Sequence, residues 1–90
     1  MNYVPIITKV VTAWIEKREA SVDMVCVSLF HYHDRLYTVE IETTEREKIK
    51  TEFTQSELDD AYAMDQSIKP GMLKQFIRAK LNAAQREGQA

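Results

Sequence analysis

Apolar residues recur in pairs along the first part of the chain. The pairs are Ile6/Ile7, Val10/Val11 and Trp14/Ile15. Their four-residue spacing matches one face of a helix, so the pattern predicts a helix over residues 3–20. Asn2 is the expected cap, and Pro5 falls in the first turn, where a missing N–H costs nothing. Valine, isoleucine and threonine individually favour strands in this segment, but the periodicity outweighs that preference.

Three strands are predicted next. Residues 22–32 are apolar at both odd and even positions, which is typical of a strand covered on both faces. Residues 33–35 form a polar break suited to a hairpin tip. A second strand then alternates cleanly, and its expected inner residues are Tyr37, Val39, Ile41 and Thr43. The third strand continues the alternation with Ile49, Thr51 and Phe53 inside. Its Lys48 and Lys50 are expected to pair across the strands with Glu40 and Glu42.

Two helices are predicted after the sheet. Thr54 and Glu57 have the spacing of a capping box, with Ser56 as a competing cap for a short helix. A second start lies at Ser67 and Pro70. The apolar residues that follow keep a three- and four-residue spacing through a longer helix that is expected to end before Gly88.

The order of elements predicts an α+β fold: an N-terminal helix, a three-stranded antiparallel meander, and two C-terminal helices packed on one face of the sheet. Its 90 residues suit a single small globular domain spanning residues 1–90. The expected core is Ile7, Val11, Trp14, Val25, Val27, Leu29, Val39, Ile41, Phe53, Leu58, Leu73, Phe76, Ile77 and Leu81. The alternative for Trp14, Tyr62 and Phe76 is partial exposure at an interface.

The net charge of −2 conceals a strong segregation along the chain. Residues 1–33 are neutral in sum, residues 34–67 sum to −6, and residues 68–90 sum to +4. Complementary regions of this kind favour self-association, and we expect a homodimer that weakens with added salt. The alternative is that these charges only solvate the surface of a small domain.

Composition narrows the class of protein. No apolar run approaches the roughly 18–20 residues of a membrane-spanning helix, and the N-terminus lacks the features of a signal peptide. The single cysteine, Cys26, has apolar neighbours that predict a buried thiol. These observations favour a cytoplasmic protein that does not contact membranes.

Candidate chemistry is sparse. His31 and His33 would share one face of a strand and approach a common metal, but no second His or Cys cluster completes a site, so hairpin-tip histidines are the preferred interpretation. Glu57, Asp59 and Asp60 resemble paired carboxylates, yet negative charge in the first helical turn is sufficient to explain them. We therefore expect no enzymatic activity and no cofactor.

With enzymatic activity and metal binding set aside, the sequence leaves two candidate functions. The first is a small protein-interaction module (a regulator, adaptor or inhibitor, such as a bacterial or phage accessory factor) that binds another protein or itself. Its binding residues would include Glu40 and Glu42 on the wet face of the sheet and exposed strand edges. The alternative is a nucleic-acid-binding module that uses Lys74, Arg78 and Lys80 on the basic last helix, although the pI of about 5.6 is low for such proteins.

Overall fold

The computed structural model describes residues 2–19, 21–31 and 35–88. Three helices and three strands follow one another as α1 Val4–Lys17, β1 Val22–His31, β2 Arg35–Thr43, β3 Lys48–Thr54, α2 Gln55–Ser67 and α3 Met72–Gly88. The predicted α-β-β-β-α-α order and α+β class are confirmed. No helix in these described ranges is long and apolar enough to cross a membrane.

Helix α1 forms although β-branched residues fill much of its first half. Its buried face consists of Ile7, Val10, Val11 and Trp14. The hydroxyls of Thr8 and Thr12 donate to the carbonyls of Val4 and Thr8, at 2.7 and 2.8 Å, so both threonines are satisfied within the helix. Tyr3 holds the cap position. Asn2 lies one residue earlier than a cap, and its side chain accepts from the Val4 N–H at 2.9 Å.

The sheet is an antiparallel meander of order β1-β2-β3, so β1 and β3 are its two edges. In the register Glu40 opposes Lys50 and Glu42 opposes Lys48, which confirms the expected cross-strand pairs. A register shift between Val22 and Met24 inserts one extra residue into β1 near its start.

The core lies between the inner face of the sheet and the helices. Helix α1 packs on β1 and α3, while α3 also packs on β3 and α2. The buried apolar residues are Tyr3, Ile7, Val10, Val11, Trp14, Tyr37, Val39, Ile41, Ile49, Phe53, Leu58, Ala61, Leu73, Ile77, Leu81 and Ala84. Phe76, Val27 and Leu29 are only partly buried against this cluster.

The prediction for the first strand was wrong in two respects. Val25 was expected in the core and Cys26 was expected to be a buried thiol, but both side chains are exposed. The physical reason is that β1 is an edge strand. The helices pack only on its inner face, and they do not extend over Val25. The sequence pattern predicted a strand that is covered on both faces, but the outer face of β1 has no covering element among the described residues.

The start of α2 follows the prediction closely. The Glu57 N–H donates to the Thr54 hydroxyl and the Thr54 N–H donates to the Glu57 carboxylate, both at 3.1 Å. Thr54 is therefore the cap, and the competing Ser56 is exposed within the helix. The reciprocal bonds satisfy two N–H groups that a helix start would otherwise leave unpaired.

Candidate functional site

The edge strand β1 exposes apolar side chains on both of its faces. Met24 and Phe30 are 43% and 44% exposed on the outer face, where Cys26 is also exposed. Val25 is 45% exposed on the inner face. We call these four side chains the edge surface. The ten residues of the strand include one acid, Asp23, and no lysine or proline. Edge strands commonly carry such residues to prevent further pairing, so this edge is unusually open to a further strand.

The backbone of β1 also presents pairing groups to the outside. The Thr44 N–H donates to the Ser21 carbonyl at 3.1 Å, while the Thr43 N–H donates to Glu47 on the opposite side at 3.0 Å. Because antiparallel ladders alternate, even-numbered residues of β2 bond toward β1 and odd-numbered ones toward β3.

That alternation identifies the outward groups of β1. The residues that oppose the even-numbered positions of β2 are Met24, Cys26, Ser28 and Phe30. Val25, Val27 and Leu29 therefore point their N–H and C=O groups away from the sheet, at an edge that no strand of the described residues occupies. Outward-pointing backbone groups and exposed apolar side chains thus lie along the same line.

Glu40 and Glu42 border this surface on the outer face of the sheet. Their cross-strand neighbours on β1 are Cys26 and Met24. On the other side the Glu40 carboxylate lies 3.8 Å from the Lys50 ammonium, with both side chains largely exposed. Exposed pairs of this kind contribute little to stability. The outer face therefore carries both charges beside an apolar edge, as the expected pairing of Glu40 and Glu42 with lysines implied.

Lys74 and Arg78 are exposed neighbours on α3, at the side of this helix that lies next to α1. They line an open groove with Lys9, Val10 and Ala13 of α1, which we call the basic groove. Sequence reasoning missed Lys9, since residues this far apart along the chain meet only through the packing of α1 against α3. Among the residues that the structure describes, none that lines the groove is acidic.

Lys80 does not join the basic groove. Its ammonium donates to the Glu52 carbonyl at 3.0 Å and lies 3.4 Å from the Glu57 carboxylate. It also lies 5.5 Å from the centre of the Phe53 ring. Lys80 thus ties α3 to the end of β3 and the start of α2, and its charge is engaged inside the molecule.

The clustered carboxylates have structural partners. The Glu57 side chain accepts the Thr54 N–H and faces Lys80, and these contacts lower the pKa of its carboxyl, the backbone bond contributing most. Asp65 accepts the N–H groups of Gly71 and Leu73, both at 3.1 Å, at the start of α3. Each therefore stabilises a helix start. For Glu57 this is the structural role that the sequence interpretation preferred, whereas the contact of Asp65 with the start of α3 was not predicted.

Asp59 belongs to a polar network under α1. The Tyr3 hydroxyl donates to Asp59 at 2.6 Å, and the Tyr37 hydroxyl donates to Gln55 at 2.8 Å. The Tyr3 N–H in turn donates to the Tyr37 hydroxyl at 3.3 Å. Burial, together with the bond to Asp59, raises the pKa of the Tyr3 hydroxyl well above its ordinary range. This network joins α1, β2 and α2.

The proposed histidine pair falls outside the description: His33 and the His31 side chain lie outside the described residues. Within the side chains that are described, no group of three or more His, Cys, Asp and Glu is placed to hold a metal ion.

Comparison with known proteins gives no match to a protein-family model, to a curated protein or to a solved structure.

Proposed function

We propose that this chain is a small, non-enzymatic protein-interaction module, acting as a regulator, adaptor or inhibitor, whose binding surface is strand β1. The observation that carries the proposal is the edge surface beside the outward backbone groups of Val25, Val27 and Leu29. An added strand would bond to those groups and cover the exposed apolar side chains, as in other cases of strand addition. The exposed cysteine fits a reducing compartment such as the cytoplasm.

Site-specific photo-cross-linking tests this proposal. A benzophenone amino acid replaces Met24 on the edge surface, and in a control it replaces Thr12, which is exposed on α1. Each variant is expressed in place of the native chain in the organism that produces it. We expect an adduct of defined mass from position 24 and none of that mass from position 12.

A blocking variant makes the test specific. Val27→Pro removes an N–H that points away from the sheet, so the ladder between β1 and β2 keeps its bonds. The adduct from position 24 should disappear in this background and persist with Val27→Ala. An equal yield of adducts from positions 12 and 24, or none from position 24, would contradict the proposal.

A nucleic-acid-binding module is the second candidate, and the basic groove favours it. Its three cations, Lys9, Lys74 and Arg78, come from two helices and have no acidic neighbour among the lining residues. Cations arranged in this way suit contact with consecutive phosphates. The net charge of −2 opposes long-range attraction to nucleic acid.

Fluorescence anisotropy with labelled duplex DNA and duplex RNA, at low and near-physiological salt, tests this second candidate. Replacing Lys74 and Arg78 together by alanine should weaken binding and reduce the logarithmic salt slope by about 2, since each phosphate contact contributes about 0.9. Lys80→Gln is the matched control, because Lys80 lies outside the groove and should leave binding unchanged. No binding at low salt would exclude this function.

A further inference from the structure

We infer that the partner of β1 is a second copy of this chain, paired antiparallel along the same edge so that two sheets form one continuous six-stranded sheet. The inference rests on the proposed function and names its partner. A strand with an open edge can pair the outward N–H and C=O groups of that edge with those of an identical strand related by a two-fold axis. Each copy then offers the same groups to the other.

Val27 lies at the two-fold axis in the register that the strand favours. Its outward backbone groups then face those of the same residue in the second copy, and Val25 opposes Leu29. About six backbone hydrogen bonds result from these three positions on the two copies. On the outer face Met24 opposes Phe30 of the second copy, which brings a thioether against an aromatic ring.

The charges of the strand suit this pairing. Asp23 is the single acid in β1, and it lies at one end. In the antiparallel register the two Asp23 residues lie at opposite ends of the interface, about 27 Å apart at about 3.4 Å per residue. Each Asp23 opposes position 31 of the second copy. Position 31 in turn is paired with Arg35 on the neighbouring strand β2 of that copy, so Asp23 and Arg35 lie in one row across the sheet. Opposite charges therefore lie in the same row at both ends of the interface, with their backbones two strand spacings, about 10 Å, apart.

The size of the contact sets the expected affinity. A paired segment of about 30 Å along a sheet edge about 10 Å thick presents roughly 300 Å² on each copy. A standard interface buries about 800 Å² on each partner. We therefore expect a reversible dimer with a dissociation constant on the order of tens of micromolar. Because backbone bonds and apolar contacts dominate this interface, its affinity should change little with salt, unlike an association driven by the −6 and +4 regions of the chain.

Sedimentation equilibrium across micromolar to near-millimolar concentrations tests the inference. The wild-type chain should pass from monomer to dimer. Val25→Lys places a charge on the exposed edge, where lysine opposes further strand pairing, and should weaken the dimer at least tenfold. Thr12→Lys is the matched control, with the same added charge at an exposed helix position. Circular dichroism confirms that each variant is folded, and Val27→Pro provides a second edge block.

The register has its own test. With Val27 on the axis, Cys26 opposes position 28 of the second copy in a pair whose Cα atoms are about 4.5 Å apart, within the range of a disulfide. Ser28→Cys should therefore give a disulfide-linked dimer under mild oxidation, whereas the wild-type chain should not. Equally rapid linkage of the wild type through Cys26 would place the axis at Cys26 and overturn the Val27 register.

The outcomes separate the inference from the proposed function. A wild-type chain that stays monomeric throughout, or a Val25→Lys variant that dimerises as well as the wild type, refutes pairing with a second copy. If position 24 then gives an adduct with a different protein, the interaction module stands and only the identity of its partner changes. A monomer without any adduct at position 24 refutes both.

Discussion

Replacing Tyr3 by phenylalanine is the sharpest test of how the first helix is held. Tyr3 is 1% exposed, and its hydroxyl donates to the Asp59 carboxylate at 2.6 Å. Its ring packs edge-on against Tyr37 and Tyr62, with centroids 6.0 and 6.5 Å apart. Phenylalanine keeps these ring contacts, so the substitution removes the hydroxyl and its hydrogen bond to the carboxylate.

The expected cost follows from the environment of the carboxylate. A hydrogen bond to a charged group contributes about 1.5–3 kcal/mol. Asp59 is exposed, so water replaces the lost donor and the lower end applies, about 1.5 kcal/mol. For a domain of this size that corresponds to a decrease in Tm of roughly 6–12 °C.

The difference in the free energy of unfolding between the wild type and Tyr3→Phe should depend on pH above about 10. The pKa of Tyr3 is raised in the folded state, chiefly by burial and then by the bond to Asp59, whereas an unfolded tyrosine ionises near pH 10. Above that pH the unfolded wild type binds fewer protons than the folded form, so its stability falls by about 1.4 kcal/mol per pH unit relative to the variant. The advantage of the wild type should therefore vanish near pH 11.

Urea unfolding of both proteins at several values between pH 7 and pH 11 measures this difference. Tyr62→Phe is the control, because the Tyr62 ring packs against that of Tyr3 but is only half-buried. The reasoning fails if Tyr3→Phe is as stable as the wild type at pH 7, or if the difference stays constant from pH 8 to pH 11.

Three further predictions concern stability and are checked by urea unfolding. Leu58→Ala should lower the free energy of unfolding by about 2–5 kcal/mol because the side chain is fully buried. Val25→Ala should lower it by less than about 1 kcal/mol because Val25 is exposed. Similar costs for the two variants would contradict the assignment of β1 as an open edge. Asp65→Ala should cost about 1–2 kcal/mol by leaving two N–H groups at the start of α3 without their acceptor, with Asp65→Asn retaining most of the stability. Lys80→Met should cost about 1 kcal/mol through loss of its contacts with β3 and α2, and an unchanged stability would show that the ammonium is effectively solvated.

The order of the elements was predictable because local patterns report it. The four-residue spacing of apolar pairs, the alternation from Tyr37 to Thr43 and the capping box at Thr54 each depend on a short stretch of chain, and each appears in the structure. Most of the inner core follows from the same periodicities, since a residue's position within a helix or strand determines the face on which its side chain lies.

The candidate sites depend on distances that no local pattern contains. Periodicity shows which positions of β1 are apolar, but not that the helices leave Val25 and Cys26 uncovered, because coverage depends on how far neighbouring elements extend. Equally, helix spacing placed Lys74 near Arg78, but only the packing of α1 on α3 brings Lys9 to them. Sequence patterns describe the faces of each element, whereas the tertiary arrangement determines which faces meet another element and which stay open to a partner.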